Sequence, residues 1–145
     1  MLEQKADLNS YGEGEKALHQ AVYRAPIEMV ILFSSYKPDL RFTDSEGSTA
    51  VHTAALWNNP EVLQLLISVG AKINSKDKKG NTPLHKCLAF ADATSKGSTK
   101  AAKKLIENKA LLNEMNNRAE TPLILAIRLG VKELKALLQE AGAKN

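Results

Sequence analysis

The stretch Asp77-Lys78-Lys79-Gly80-Asn81-Thr82-Pro83-Leu84-His85-Lys86-Cys87-Leu88 decides how this chain folds. It reads as a turn that runs straight into a helix start. An aspartate side chain satisfies turn amides, threonine caps a free amide at a helix N-terminus, and proline at the first helical position has the required φ and lacks a donor that would go unpaired. Outward from this stretch the same phrase returns. Gly14-Glu15-Lys16-Ala17-Leu18-His19 and Gly47-Ser48-Thr49-Ala50-Val51-His52 precede it, with 33 residues between successive glycines, and Ala119-Glu120-Thr121-Pro122-Leu123-Ile124 follows 39 residues later. Repetition at this period marks one small supersecondary unit stacked into an array, because such a unit cannot bury its apolar side alone.

Two short apolar helical patterns follow the phrase. They are Ala21-Val22 then Val30-Ile31-Leu32-Phe33 in the first unit, and Ala54-Ala55 then Val62-Leu63-Gln64-Leu65-Leu66 in the second. The second unit closes on Gly70-Ala71-Lys72-Ile73-Asn74, where a glycine past the last helical turn takes positive φ cheaply. Leu66 and Leu105 are 39 residues apart rather than 33, which places six extra residues between the two helices of the third unit. The extra stretch, Ala91 to Thr99, is small, polar and glycine-containing, and reads as a loop. A functional segment and a tolerated surface insertion are equally compatible with that composition. Ser95, Ser98 and Thr99, beside Lys96 and Lys100, are weak candidates for phosphate acceptors.

Period, phrase and closing turn together resemble the ankyrin repeat, with Asp77 to Leu88 similar to that family's opening almost position by position. The resemblance implies an all-α solenoid of stacked helix-turn-helix units with projecting β-turn fingers. Its expected organisation is the tail of a preceding repeat over 1–10, then repeats over 11–43, 44–76, 77–115 (with the inserted loop 91–99) and 116–145. Both ends match repeat tails, so the chain is expected to be a fragment of a longer protein. Lys16-Ala17 and Ala50 replace Thr-Pro and its proline in the first two phrases, so looser helix starts are expected there. Ala119 replaces a glycine, which speaks against a positive-φ turn before the last unit, and that unit is expected to be partly frayed. His19, His52 and His85 would brace neighbouring backbones, a role lost where Ile124 stands in the fourth copy.

Composition agrees with one ordinary domain. The chain has 145 residues, 43% apolar and 25% charged, and a net charge of +4. No run approaches the roughly 18 apolar residues of a membrane span, and Met1 to Ser10 is too polar for a secretory leader. The single cysteine, Cys87, reads as a buried inert thiol, pointing to a reducing compartment, cytoplasm or nucleus. No nucleophile, base and orienting group converge, so no catalytic residue is assigned and the chain is not read as an enzyme. No metal or cofactor is expected either, since histidines about 10 Å apart on successive helices cannot converge on one ion.

The resemblance also implies a concave face, onto which the two residues after the small pair of each first helix would point. These are Tyr23 and Arg24, Leu56 and Trp57, Ala89 and Phe90, and Arg128 and Leu129, joined by the finger residues Glu46, Lys79 and Arg118. Tyrosine, tryptophan, phenylalanine and arginine are the residues in which binding energy concentrates. The expected function is a monomeric module that binds a partner protein through this groove and its fingers, with no small-molecule substrate. The alternative is a regulatory or spacer domain packing against a catalytic or channel domain of the same polypeptide. For Trp57 and Phe90, core packing stays open beside exposure. Lys72 to Lys109 carries ten lysines against three acidic residues, which reads as a solvated face, a site for an acidic protein, or less readily a lipid or nucleic-acid surface.

Overall fold

A computed structural model describes residues 13–24, 26–37, 39–91 and 98–145; the expected tail 1–10, the Arg24 side chain and positions 92–97, with Ser95 and Lys96, lie outside the described residues. Eight helices run α1 (Glu13–Arg24), α2 (Ile27–Ser35), α3 (Ala50–Leu56), α4 (Pro60–Ser68), α5 (Pro83–Lys86), α6 (Thr99–Glu107), α7 (Pro122–Leu129) and α8 (Lys132–Glu140), with no strand among the described residues. Each odd helix packs on the even helix after it. The odd helices also stack on one another as an inner layer, and the even helices as an outer one. The result is an all-α solenoid, as the period implies.

The repeated phrase explains the inner layer. Thr49, Thr82 and Thr121 are the N-cap residues of α3, α5 and α7, and Pro83 and Pro122 occupy the first helical positions. The amide of Thr49 donates to His52 Nδ1 at 3.1 Å, and that of Thr82 to His85 Nδ1 at 3.2 Å. Each imidazole then reaches across the stack through Nε2: His19 to the Ser48 carbonyl at 2.9 Å, His52 to Asn81 at 3.0 Å and His85 to Glu120 at 2.9 Å. With Nδ1 accepting and Nε2 donating, His52 and His85 offer a metal ion no lone pair. α1 departs from the pattern. Helix already runs through Gly14 and the Lys16-Ala17 positions, where no Thr-Pro pair sets a start.

Small residues let the layers approach. Ala54, Ala55, Ala101, Ala102 and Ala126 are fully buried among Leu63, Leu66, Leu105 and Val30, and Cys87 sits in the same core. Burial pushes the Cys87 thiol far up, so it stays protonated and unreactive. Beyond the helices, the fingers join edge to edge. Lys78 donates its amide to the Glu46 carbonyl at 3.0 Å, and Asn117 to that of Lys79 at 2.9 Å. Gly80 permits this second joint, since a Cβ there would lie 2.8 Å from the Asn117 nitrogen at a φ of +74°.

Ala119 takes the conformation that its glycine counterparts take, with φ 57°. An L-residue pays about 1–2 kcal/mol in that region, partly offset because alanine has less unfolded-state entropy to lose than glycine. Ala119→Gly is therefore expected to stabilise the chain by about 0.5–1 kcal/mol, read as a higher urea midpoint. A lower midpoint would show that the turn is not strained.

The third unit carries the insertion, and its exit is clamped. Ser98 donates its amide to the Cys87 carbonyl at 2.9 Å and its hydroxyl to the Leu56 carbonyl at 3.2 Å. Asn58, itself at φ 53°, accepts from the Ala101 amide at 2.9 Å and so caps α6 from the previous unit. Ser98 and Thr99 are buried, Ser98 as the N-cap and Thr99 as the first helical residue. That burial corrects their reading as loop residues open to phosphate.

Among the described residues, nothing covers one face of the outer layer. Val62 and Leu66 are buried in α4, which packs against α2, whereas the equivalent Met29 is exposed and Phe33 only partly buried. Ile27, Ile31, Leu32 and Tyr36 are exposed beside them.

Candidate functional site

Three aromatic rings form a row across the inner helices. Tyr23 lies near the end of α1, Trp57 is the C-cap of α3, and Phe90 ends the turn that follows α5. The Tyr23 and Trp57 ring centroids are 4.6 Å apart, and those of Trp57 and Phe90 5.5 Å. Both separations fall in the range where tilted rings attract, by about 0.5–1.5 kcal/mol per pair beyond area burial. The rings stay 41%, 44% and 67% exposed, so the row is a surface and not core. Trp57 faces outward because Ala54 and Ala55 fill the close-packed positions of α3, and the chain leaves the helix at Asn58.

The repeat register alone misplaces one contact. Tyr23 aligns with Leu56, and Arg24 with Trp57, yet it is Tyr23 that meets the indole. Leu56 and Leu129 are half-buried, and Ala89 is exposed next to Phe90.

Beside the row, a cleft of about 420 Å³ opens between the fingers of the third and fourth units. Its floor includes Leu88, Ala89, Leu125 and Leu129, and its walls carry Lys78, Lys79, Arg118 and Arg128 against a single carboxylate, Glu120. Glu120 accepts from Arg128 Nε at 2.6 Å and from Asn116 Nδ2 at 3.4 Å. Partial burial pushes its carboxyl up, but these two hydrogen bonds outweigh burial and hold it below the ordinary carboxylate range. Lys79 lies 3.6 Å from Glu46, both well exposed, which is a weak pairing. Among the described residues the Lys78 ammonium meets only the Ser45 carbonyl, at 2.7 Å, and no hydrogen bond or ion pair occupies the Arg118 guanidinium.

The structure thus gathers Ala89, Lys79, Arg118, Arg128 and Leu129 around one cleft, with Tyr23, Trp57 and Phe90 in one row, while Glu46 stands on the finger before it. Sequence reasoning missed Lys78, Asn81, Leu88, Asn116, Asn117, Glu120 and Leu125 as parts of the cleft. The signal was present, since each lies at a finger or inner-helix position of the repeat phrase.

Comparisons with known proteins agree with this geometry. The family model described as "Ankyrin repeats (3 copies)" matches residues 1–77 and, in an overlapping match, 18–93. The intracellular phospholipase A2 of Caenorhabditis elegans is 34% identical over 134 residues, which is 90% of this chain and 12% of that protein. Human inversin is 30% identical over 109 residues, 74% of this chain and 10% of inversin. Human neurogenic locus notch homolog protein 2 is 37% identical over 97 residues, 66% of this chain and 4% of its own length. The chain therefore spans a small part of the relatives it matches. With the family model covering more than half of its length and the stacked hairpins that its phrase demands, the chain belongs to the ankyrin-repeat family.

Proposed function

We propose that this chain is a protein-binding module that holds its partner against the concave face, with Tyr23, Trp57 and Phe90 as anchors. The single observation that carries this reading is the row of exposed, mutually packed rings. Aromatic anchors that are already ordered lose little entropy on binding, and truncating one at an interface costs about 2 kcal/mol or more. The module acts as a monomer through a rigid surface. The activity in the phospholipase relative's name stays with that relative, because only 12% of it is matched. A buried, inert Cys87 suits a reducing compartment, the cytoplasm or nucleus. Among the described residues no helix is long and apolar enough to cross a membrane.

Affinity capture with the wild-type chain beside Trp57→Ala tests the reading. Loss of two ring pairs should lower stability by about 1–3 kcal/mol and leave the helical circular dichroism unchanged. At least one partner should weaken about thirtyfold or more. Retention of every partner at unchanged affinity would remove the groove from the account.

The exposed face of α2 favours a second reading, in which the stack packs against another part of the same polypeptide. An apolar face of that kind is rare on a monomer without a purpose. Under this reading the isolated chain associates with rising concentration in sedimentation, and Met29→Lys with Ile31→Lys abolishes the association. A wild-type chain that stays monomeric throughout would remove it.

A further inference from the structure

The concave face is chemically two-ended, and its ends prescribe what fits. Toward the first unit lies the aromatic row; toward the fourth lies the cleft, lined by Arg118, Arg128 and one carboxylate and by Lys78 and Lys79, whose ammoniums reach Ser45 and Glu46 on the preceding finger. That carboxylate is spent. Glu120 already accepts from Arg128 and Asn116, so it has little left with which to neutralise Lys78 or Arg118. Lys78 touches a neutral carbonyl, and the exposed Lys79 and Glu46 pair is loose enough to be exchanged. The exposed Arg118 guanidinium makes no hydrogen bond or ion pair among the described residues and feels only the nearby charge of Glu120, so its planar fork suits a carboxylate, which it can hold through two parallel bonds. The floor between these charges is apolar, Ala89 and Leu129, so it does not compete for them.

We infer that the partner presents an acidic, extended peptide segment: Asp or Glu side chains sit in the cleft between the third and fourth fingers, and apolar side chains of the same segment lie along Phe90, Trp57 and Tyr23. The inference rests on the groove reading and gives it a partner chemistry and a direction. The ring-to-ring steps of 4.6 Å and 5.5 Å and one step of about 10 Å to the cleft span about 20 Å, which needs roughly six extended residues at about 3.3 Å apiece. Nucleic acid fits less well. The rings are packed on one another rather than splayed to receive bases, and the cations gather at one end rather than along a track.

Selection from a random peptide library of about twelve residues per member tests this without a known ligand. Peptides held by the wild-type chain should show Asp plus Glu enriched about threefold over the unselected library, adjoining a run of apolar residues. Their binding, followed through the emission of Trp57, the chain's one tryptophan, should weaken about tenfold as salt rises from low to high. Selection on Arg118→Glu should lose the acidic excess, and because that side chain is exposed and makes no hydrogen bond among the described residues the variant keeps its fold. Enrichment of apolar residues that vanishes on Trp57→Ala but carries no acidic excess would overturn the inference and leave the groove reading intact. Failure to enrich any peptide, or enrichment indifferent to both substitutions, would overturn both. Retention of single-stranded oligonucleotides without any acidic-peptide excess would overturn the inference in favour of a nucleic-acid partner.

Discussion

Asp77→Ala should destabilise the chain by about 3 kcal/mol, measured as a fall in the urea-unfolding free energy. The Asp77 side chain is only 1% exposed and serves several donors. Its Oδ1 accepts from the amides of Lys79 at 2.9 Å and Asn81 at 2.8 Å, and its Oδ2 pairs with Lys86 Nζ at 2.9 Å. Burial pushes the carboxyl up, but the Lys86 hydrogen bond and the backbone amides outweigh it and hold the group below the usual carboxylate range. Removing the carboxylate leaves the turn amides short of an acceptor and Lys86, itself 18% exposed, without its counter-charge. Asp44 is the internal control. It accepts from the Glu46 and Ser48 amides at 2.9 Å each but is exposed and has no lysine, since Thr53 stands where Lys86 would. Asp44→Ala should cost only about 1 kcal/mol, and equal losses at the two sites would refute the role given to Lys86.

Acid should unfold the chain in a window set by His52 and His85. Burial lowers both imidazoles below the ordinary histidine range, and the hydrogen bonds from Nε2 to the Asn81 and Glu120 carbonyls only partly restore them. A histidine depressed in the folded state binds its proton more readily once unfolded. Its stabilisation is thus complete above the unfolded value, near pH 6.5, and drains away as pH falls from there toward the folded value. Protonation at Nδ1 also destroys the acceptor that the Thr49 and Thr82 amides use. With two such groups, the unfolding free energy should fall by as much as about 2.7 kcal/mol per pH unit at its steepest. His52→Gln with His85→Gln should flatten that slope, and an unchanged slope would place the titrating groups elsewhere. The depressed Asp77 carboxyl acts in the same sense in a lower window: its contribution persists above the unfolded value near pH 3.9 and is lost as pH drops below it.

Much of this protein is written within single repeats. The Thr-Pro helix starts, the acceptors Asp44 and Asp77 and the inward histidines are rules that act over two to four residues, so they survive in any context and are legible along the chain. The 33-residue period then implies stacking, because no single hairpin has enough partners for its leucines. The insertion was legible as a change of period, but the clamp that Asn58 and Leu56 place on its exit was not.

What the tertiary structure alone decided lies between repeats. Tyr23 rather than Arg24 meets Trp57, Asn58 caps α6 of the next unit, and Lys78, Arg118 and Arg128 close one cleft from separate fingers and helices. Such contacts depend on the angle and offset at which one unit settles on the next. That offset is a sum of many small packing terms over the whole interface, which a repeat phrase, identical in form from copy to copy, does not encode.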